Sequence, residues 1–246
     1  MVKHTNSNHL EYIDALKGFG MFLVVMGHVI MWSFNCYGLN FWNLISSKSL
    51  NVCLWYNVIY SFHMPLLFWL SGFLFLSAKR PFAWRMLPTY LWRKIYTLLV
   101  PFIVAGMVFY AITGENFTKY WFLRTLFIFI LMTLPYEVFR QRLLSGRGVL
   151  AVVSDIVYYL SVVYIVNVLS WKYRGDMVDA IIDSEHLLHY KFFIFGLLCK
   201  RYPTLQKYAS SNLCYTLSLV VLIFAMYLLH HTHPVVSHLS FMITIA

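Results

Sequence analysis

The sequence has few charged side chains. Only 11% of its 246 residues are Asp, Glu, Lys or Arg, whereas a soluble domain carries about 25%. Hydrophobic residues make up 61% of the chain. This composition excludes an ordinary soluble protein and predicts a polytopic membrane protein. Among the charged residues, 9 are Asp or Glu and 19 are Lys or Arg. In a membrane protein such an excess of positive charge sets the orientation, so we expect no nucleic-acid partner.

Several common site signatures are missing. The chain has no Gly-rich phosphate loop, no Ser-His-Asp arrangement and no H-E-x-x-H motif. Its 4 cysteines show neither C-x-x-C nor metal-site spacing, and we interpret them as small apolar residues in helices. We therefore expect no metal. The first apolar run lacks a convincing cleavage site and is predicted to stay as a helix.

Long apolar runs predict an all-α fold, a polytopic transmembrane bundle of about seven to eight helices. The predicted helices are Ile13 to Phe34, Cys53 to Ala78, Ile95 to Thr113, Tyr120 to Val138, Val149 to Leu169, Leu187 to Cys199 and Asn212 to His230. A last apolar run from Pro234 to Ala246 is shorter than the roughly 20 residues that span a bilayer. The sequence thus predicts a single membrane domain, residues 1–246, that is incomplete at its C-terminus.

The loops alternate in charge. Those after the second, fourth and sixth predicted helices are basic, whereas residues 171–185 are net acidic. The positive-inside rule places the N-terminus and the basic loops in the cytoplasm. The basic segment from Lys79 to Lys94 is predicted to be a linker in the headgroup region, followed by a helix that starts at Ile95.

The stretch from Glu11 to Ile30 carries ionisable groups into an apolar run. Lys17 and His28 are eleven residues apart, so on a helix they would share a face about 16 Å apart along the axis. Asp14 precedes Lys17 by three residues, within reach for an ion pair. Ionisable residues inside a membrane segment are functional candidates. Alternatively, His28 only bonds a neighbouring helix, and Asp14 and Lys17 are ordinary surface residues.

His63 is a second intramembrane imidazole, two residues before Pro65. Proline frees a carbonyl one turn back and favours a kink. Because consecutive helices run antiparallel, we expect His28 and His63 to lie close together at a similar depth. Neutral imidazole can act as a general base on a hydroxyl or as a proton relay in a transporter. Alternatively, each histidine caps a freed carbonyl, and the residues alone do not decide between these readings.

Arginine and lysine side chains mark two further candidate binding sites. Arg93 and Lys94 can hold the phosphates of a cytosolic cofactor, or they are only orientation signals. Trp121 and Arg124 open the fourth predicted helix near the outer face. There Arg124 either binds an acceptor or extends its charge to the membrane surface. A histidine cluster near the end, at His230, His231, His233 and His238, matches no metal site.

The first two predicted helices resemble those of a known family. Ile13-Asp14-Ala15-Leu16-Lys17-Gly18, followed by Leu23-Val24-Val25-Met26-Gly27-His28, resembles the first-helix signature of the acyltransferase family 3 membrane proteins, most closely the fucose 4-O-acetylase-like branch. The segment from Phe62-His63-Met64-Pro65 to Ser71-Gly72-Phe73-Leu74-Phe75 is similar to the second-helix motif. Weaker similarities occur in three segments: Leu98 to Phe102, Trp121 to Leu123 and Phe192 to Gly196.

The resemblance implies a bacterial inner-membrane enzyme that moves an acetyl or other acyl group from acyl-coenzyme A to a hydroxyl of a surface glycan. The family's first-helix histidine maps onto His28, its basic residue onto Lys17 and its second-helix histidine onto His63. Many members have an arginine pair before the third helix. Its nearest equivalents here, Lys94 and Thr97, make that pair incomplete. Members usually have about ten helices.

Together these observations predict a membrane O-acyltransferase in contact with membrane lipid and a glycan acceptor. His28 acts as the base or in acyl relay, His63 assists or positions it, and Lys17, paired with Asp14, binds the acetyl-coenzyme A or other acyl-coenzyme A donor. Arg93 and Lys94 hold the donor's phosphates, and Trp121 and Arg124 bind the acceptor. The alternatives are a proton-coupled transporter or flippase of glycan or lipid precursors, with the two histidines as relay, and an inactive fragment.

Overall fold

The structure is a computed structural model. It describes residues 7–34, 50–75, 87–114, 121–143, 148–172, 184–213, 216–217 and 220. Every regular element in this part of the chain is helical, which confirms the all-α prediction. The predicted number of helices stays a prediction, because most of the seventh predicted helix, the run from Pro234 and the C-terminal histidines lie outside the described residues.

The described helices follow one another along the chain. They are α1 (Ser7–Phe34), α2 (Leu50–Leu74), α3 (Leu87–Lys94), a π-helical segment (Ile95–Leu99), α4 (Val100–Thr113), α5 (Trp121–Leu143), α6 (Gly148–Lys172), α7 (Ser184–Leu187), α8 (Tyr190–Arg201) and α9 (Pro203–Ala209). Four stretches of the described chain are long and apolar enough to cross a bilayer: Glu11–Met31, Leu87–Ile112, Trp121–Leu143 and Gly148–Leu169.

The third predicted helix begins earlier than expected. Residues predicted to form a linker up to Lys94 instead form α3, which starts at Leu87. Pro88 is the second residue of α3, where a missing N–H breaks no helical hydrogen bond. Pro88, which lies within the predicted linker, therefore belongs to the first turn of a helix. Arg93 and Lys94 consequently lie in the last turn of α3 rather than before a helix.

A π-helical segment joins α3 to α4. The Val100 N–H bonds the Ile95 carbonyl, five residues back, which widens the turn just before Pro101. The Thr97 hydroxyl donates to the Arg93 carbonyl at 2.9 Å. Such segments occur frequently at functional sites. The helix ends at Gly114, whose φ of 69° lies in the left-handed region that glycine adopts without a Cβ penalty.

The sixth predicted helix is interrupted. A single helix from Leu187 to Cys199 was expected, but Leu188 and His189 form a turn between α7 and α8. The His189 N–H bonds the His186 carbonyl at 3.1 Å in that turn. Apolar residues continue through the turn, and for that reason the run of hydrophobicity alone predicts one helix.

The chain divides into two compact units. The first contains Met1–Leu70 and Cys199–Ala246, and the second contains Ser71–Leu198. In the second unit α5 packs against the π-helical segment and α6 packs against α7. The buried core of the second unit includes Phe73, Phe129 and Phe193.

Candidate active site

The first unit packs α1 against α2. A Cβ on Gly20 of α1 would lie 2.8 Å from Cδ2 of Leu67 on α2, so the absence of a side chain at Gly20 permits the close approach. Further along α1, His28 lies near enough to His63 of α2 to act on it electrostatically. Residue numbers thus rise along α1 as they fall along α2, which makes the pair antiparallel and brings the two imidazoles together.

His63 is held in one orientation. His63 is 1% exposed. Its Nδ1 lies 2.7 Å from the Ile59 carbonyl oxygen. A carbonyl oxygen only accepts, so Nδ1 carries the proton and Nε2 of the neutral ring is an acceptor. Pro65 removes the donor for the Ser61 carbonyl, whereas His63 bonds Ile59. The alternative that His63 caps the carbonyl freed by proline therefore does not describe this bond.

His28 is half-buried on α1, in the same unit as His63. A fixed imidazole beside a second and more accessible imidazole can take part in moving a proton from a hydroxyl. The electrostatic interaction of the two histidines agrees with their predicted proximity, while their catalytic roles stay a prediction.

Asp14 and Lys17 form the predicted ion pair. The Lys17 ammonium lies 2.8 Å from Oδ1 of Asp14, and the two side chains are 46% and 69% exposed, Lys17 first. An exposed pair contributes roughly 0–1 kcal/mol, so this one contributes little to the stability of α1. It lies at the polar start of the helix that carries His28, where it is accessible to a charged ligand.

The other predicted site residues belong to the second unit. Arg93 is exposed, and the Lys94 ammonium lies 5.5 Å from the centre of the Tyr90 ring. This cation–π contact holds Lys94 against its own helix. Arg124 is half-buried, and its Nε has no hydrogen-bond partner among the described residues.

Trp121 is packed against two histidines that the sequence interpretation did not select. Its ring stacks on His186, with centroids 3.5 Å apart and planes 14° apart, and lies 5.9 Å from His189. One face of the indole is therefore covered. The signal available in the sequence was the three-residue spacing of the histidines, but only the turn between α7 and α8 brings them to Trp121.

A buried polar network also escaped prediction. Thr133 donates to the Phe129 carbonyl at 2.7 Å, so its oxygen accepts from the Tyr190 hydroxyl at 2.9 Å. Tyr190 in turn accepts from the Tyr158 hydroxyl at 2.8 Å. Glu137, 1% exposed, lies close enough to both tyrosines to act on them electrostatically. The network joins α5, α6 and α8 in the second unit.

No three His, Cys, Asp or Glu residues of the described chain lie close enough together to hold a metal ion. The expectation of no metal stays a prediction.

The comparison with known proteins identifies the family of this helical chain. A family model described as an acyltransferase domain matches residues 10–245. The chain therefore belongs to acyltransferase family 3, which confirms the resemblance seen in its first two helices. No curated protein and no solved structure matches it. The fucose 4-O-acetylase-like branch stays a prediction.

Proposed function

We propose that the chain is an integral membrane O-acyltransferase that moves an acetyl or other acyl group from acyl-coenzyme A to a hydroxyl of a cell-surface glycan. The observation that carries the proposal is the pairing of His28 with His63, whose Nδ1–H is bonded to Ile59. Family membership supports acyl transfer and does not favour the transporter alternative. We further propose one domain over residues 1–246, in the inner membrane, with a cytoplasmic N-terminus.

The proposed chemistry uses His28 as the general base. Its imidazole takes the proton of the acceptor hydroxyl as that oxygen attacks the thioester carbonyl. The carbon–sulfur bond of the donor then breaks, and the imidazolium returns the proton to the departing thiolate. The products are the ester of the acceptor and coenzyme A with a free thiol. General acid–base catalysis of this kind contributes typically 10²–10⁴-fold.

The remaining roles follow from charge and shape. Lys17, with Asp14 beside it at 2.8 Å, binds and orients the donor at the polar start of α1. Arg93 and Lys94 are proposed to bind phosphates, for which guanidinium and ammonium groups are suited. Arg124, whose Nε lacks a hydrogen-bond partner among the described residues, is proposed to bind the acceptor with Trp121.

Release of free thiol from acetyl-coenzyme A by purified protein in detergent tests the proposal. Pooled bacterial glycans serve as acceptor, and His28→Ala is compared with wild type. The matched control is His9→Ala, which removes a histidine from the same helix, about 28 Å away along its axis.

We expect acceptor-dependent release from wild type and from His9→Ala, and a loss of at least 100-fold in His28→Ala. Equal release from His28→Ala and wild type would overturn the assignment of the base. Each variant is first shown to elute from size-exclusion chromatography as wild type does, so a folding defect is not mistaken for a catalytic one.

A further inference from the structure

An apolar groove runs between α3 and α5 within the second unit. Its volume is about 600 Å³, and its lining includes Leu87 and Leu91 of α3 with Leu131, Phe139, Arg142 and Leu143 of α5. Among the described residues that line the groove, Arg142 is the charged one. None of these residues has a part in the proposed transfer chemistry.

The groove has the length of one bilayer leaflet. Leu131 and Leu143 are twelve residues apart on α5, which is about 18 Å along the helix axis. Half of a hydrocarbon core of about 30 Å is about 15 Å. Arg142 lies in the last turn of α5 and lines the groove. The cation therefore lies at the surface end of a leaflet-long apolar channel.

Several residues that line the groove are exposed at its side. Leu131, Phe139 and Leu143 are 42%, 48% and 55% exposed. Such exposure on a membrane-spanning helix faces acyl chains rather than water. An acyl chain can therefore lie along the groove without any movement of α3 or α5.

The charge at the end of the groove favours an anion. Arg142 is exposed, and a guanidinium offers five N–H donors in a geometry that matches phosphate. Arg140, two residues earlier, forms an ion pair with Asp155 at 2.9 Å and does not line the groove, whereas Arg142 does. Basic sites between membrane helices on the cytoplasmic side bind anionic headgroups.

We propose that this groove binds one anionic phospholipid, with an acyl chain along the groove and the headgroup phosphate on Arg142. The occupant is a lipid of the leaflet that contacts the end of α5 at Arg142. The lining of the groove includes neither His28 nor His63, and the proposal does not depend on acyl transfer.

Native mass spectrometry of the detergent-purified protein tests the site. The protein is titrated with phosphatidylglycerol or phosphatidylcholine, without donor or acceptor. Leu131→Trp fills the groove, and its matched control is Met132→Trp, because Met132 is equally exposed on α5 but does not line the groove. Arg142→Gln removes the cation, and Lys207→Gln removes an exposed one on α9.

We expect the wild-type protein and both controls to bind phosphatidylglycerol with equal affinity. Arg142→Gln should bind it about tenfold more weakly, the effect of losing a hydrogen bond to a charged group. Leu131→Trp should also bind it about tenfold more weakly, because the indole occupies the space of the acyl chain. Phosphatidylcholine should bind more weakly than phosphatidylglycerol to the wild-type protein, and Arg142→Gln should remove that preference.

Equal binding by Leu131→Trp and Met132→Trp would overturn the proposal, as would equal affinity of the wild-type protein for the two lipids. Displacement of the lipid by soluble glycerol phosphate would also contradict it, because the apolar groove would then be unnecessary. If Arg142→Gln does not fold, the pair at positions 131 and 132 still decides.

Discussion

Arg140 on α5 and Asp155 on α6 form a buried ion pair. The Arg140 Nε lies 2.9 Å from Oδ1 and 3.1 Å from Oδ2 of Asp155, and the Tyr136 hydroxyl donates to Oδ1 at 2.7 Å. The Asp155 side chain is 1% exposed and that of Arg140 is 21% exposed. A carboxylate this deep in an apolar bundle is retained only because these donors satisfy it.

Removing one partner of that pair should destabilise the protein. Arg140→Met leaves Asp155 without its counter-ion, and we expect a loss of about 3 kcal/mol, measured as a lower thermal midpoint in detergent. Arg140→Met combined with Asp155→Leu should recover most of it. Asp14→Asn, which breaks an exposed pair, is the control and should cost at most about 1 kcal/mol. Equal losses from Arg140→Met and Asp14→Asn would contradict the description of a buried pair.

Gly72 should be the least replaceable of three glycines. A Cβ there would overlap the Phe193 carbonyl, which is backbone and cannot move aside, whereas a Cβ on Gly18 meets nothing within 4 Å. Gly72→Ala should therefore lower the thermal midpoint strongly, by an overpacking cost of about 1–3 kcal/mol or more. Gly18→Ala should be neutral, and Gly20→Ala intermediate because Leu67 is a flexible neighbour. A neutral Gly72→Ala would contradict the close approach of α2 and α8.

The hydroxyl chain should depend most on its middle member. Tyr190→Phe removes the hydroxyl that bonds both the Thr133 oxygen and the Tyr158 hydroxyl. Each buried group left unsatisfied costs about 1–3 kcal/mol. Tyr158→Phe removes only the end of the chain and should cost less. Tyr164→Phe, at an exposed position of α6, is the matched control. Thermal unfolding of the three variants gives the order, and a larger loss in Tyr158→Phe than in Tyr190→Phe would contradict the chain's connectivity.

The sequence predicts the helices and the local pairs well for a physical reason. Apolar runs and three-residue spacings act within one element, so the ion pair of Asp14 with Lys17 needs no knowledge of the fold. The predicted start of the third helix at Ile95 was wrong, because Pro88 is compatible with both a linker and a first helical turn. Contacts between separate elements, such as Arg140 with Asp155 and Trp121 with His186, depend on packing that periodicity does not encode.

The two nitrogens of His63 can be tested separately. Asparagine places an amide N–H where Nδ1 lies, so His63→Asn should keep the bond to Ile59 and the fold while removing Nε2. We expect kcat to fall at least tenfold with KM for the donor unchanged, because His63 acts through His28 rather than on the donor. His63→Gln, which places an amide near Nε2 but loses the Ile59 bond, should lower the thermal midpoint as well. Full activity of His63→Asn would show that His63 has only a structural role.

Acyl transfer itself is tested most directly by following a labelled acetyl group. Protein in liposomes is given acetyl-coenzyme A with a labelled acetyl group, together with a glycan acceptor. The glycan is then recovered from both sides of the bilayer. The account predicts label bound to the glycan through an alkali-labile ester, in wild type and not in His28→Ala. Unmodified glycan that crosses the bilayer, with no label attached to it, would contradict the account and support a transporter.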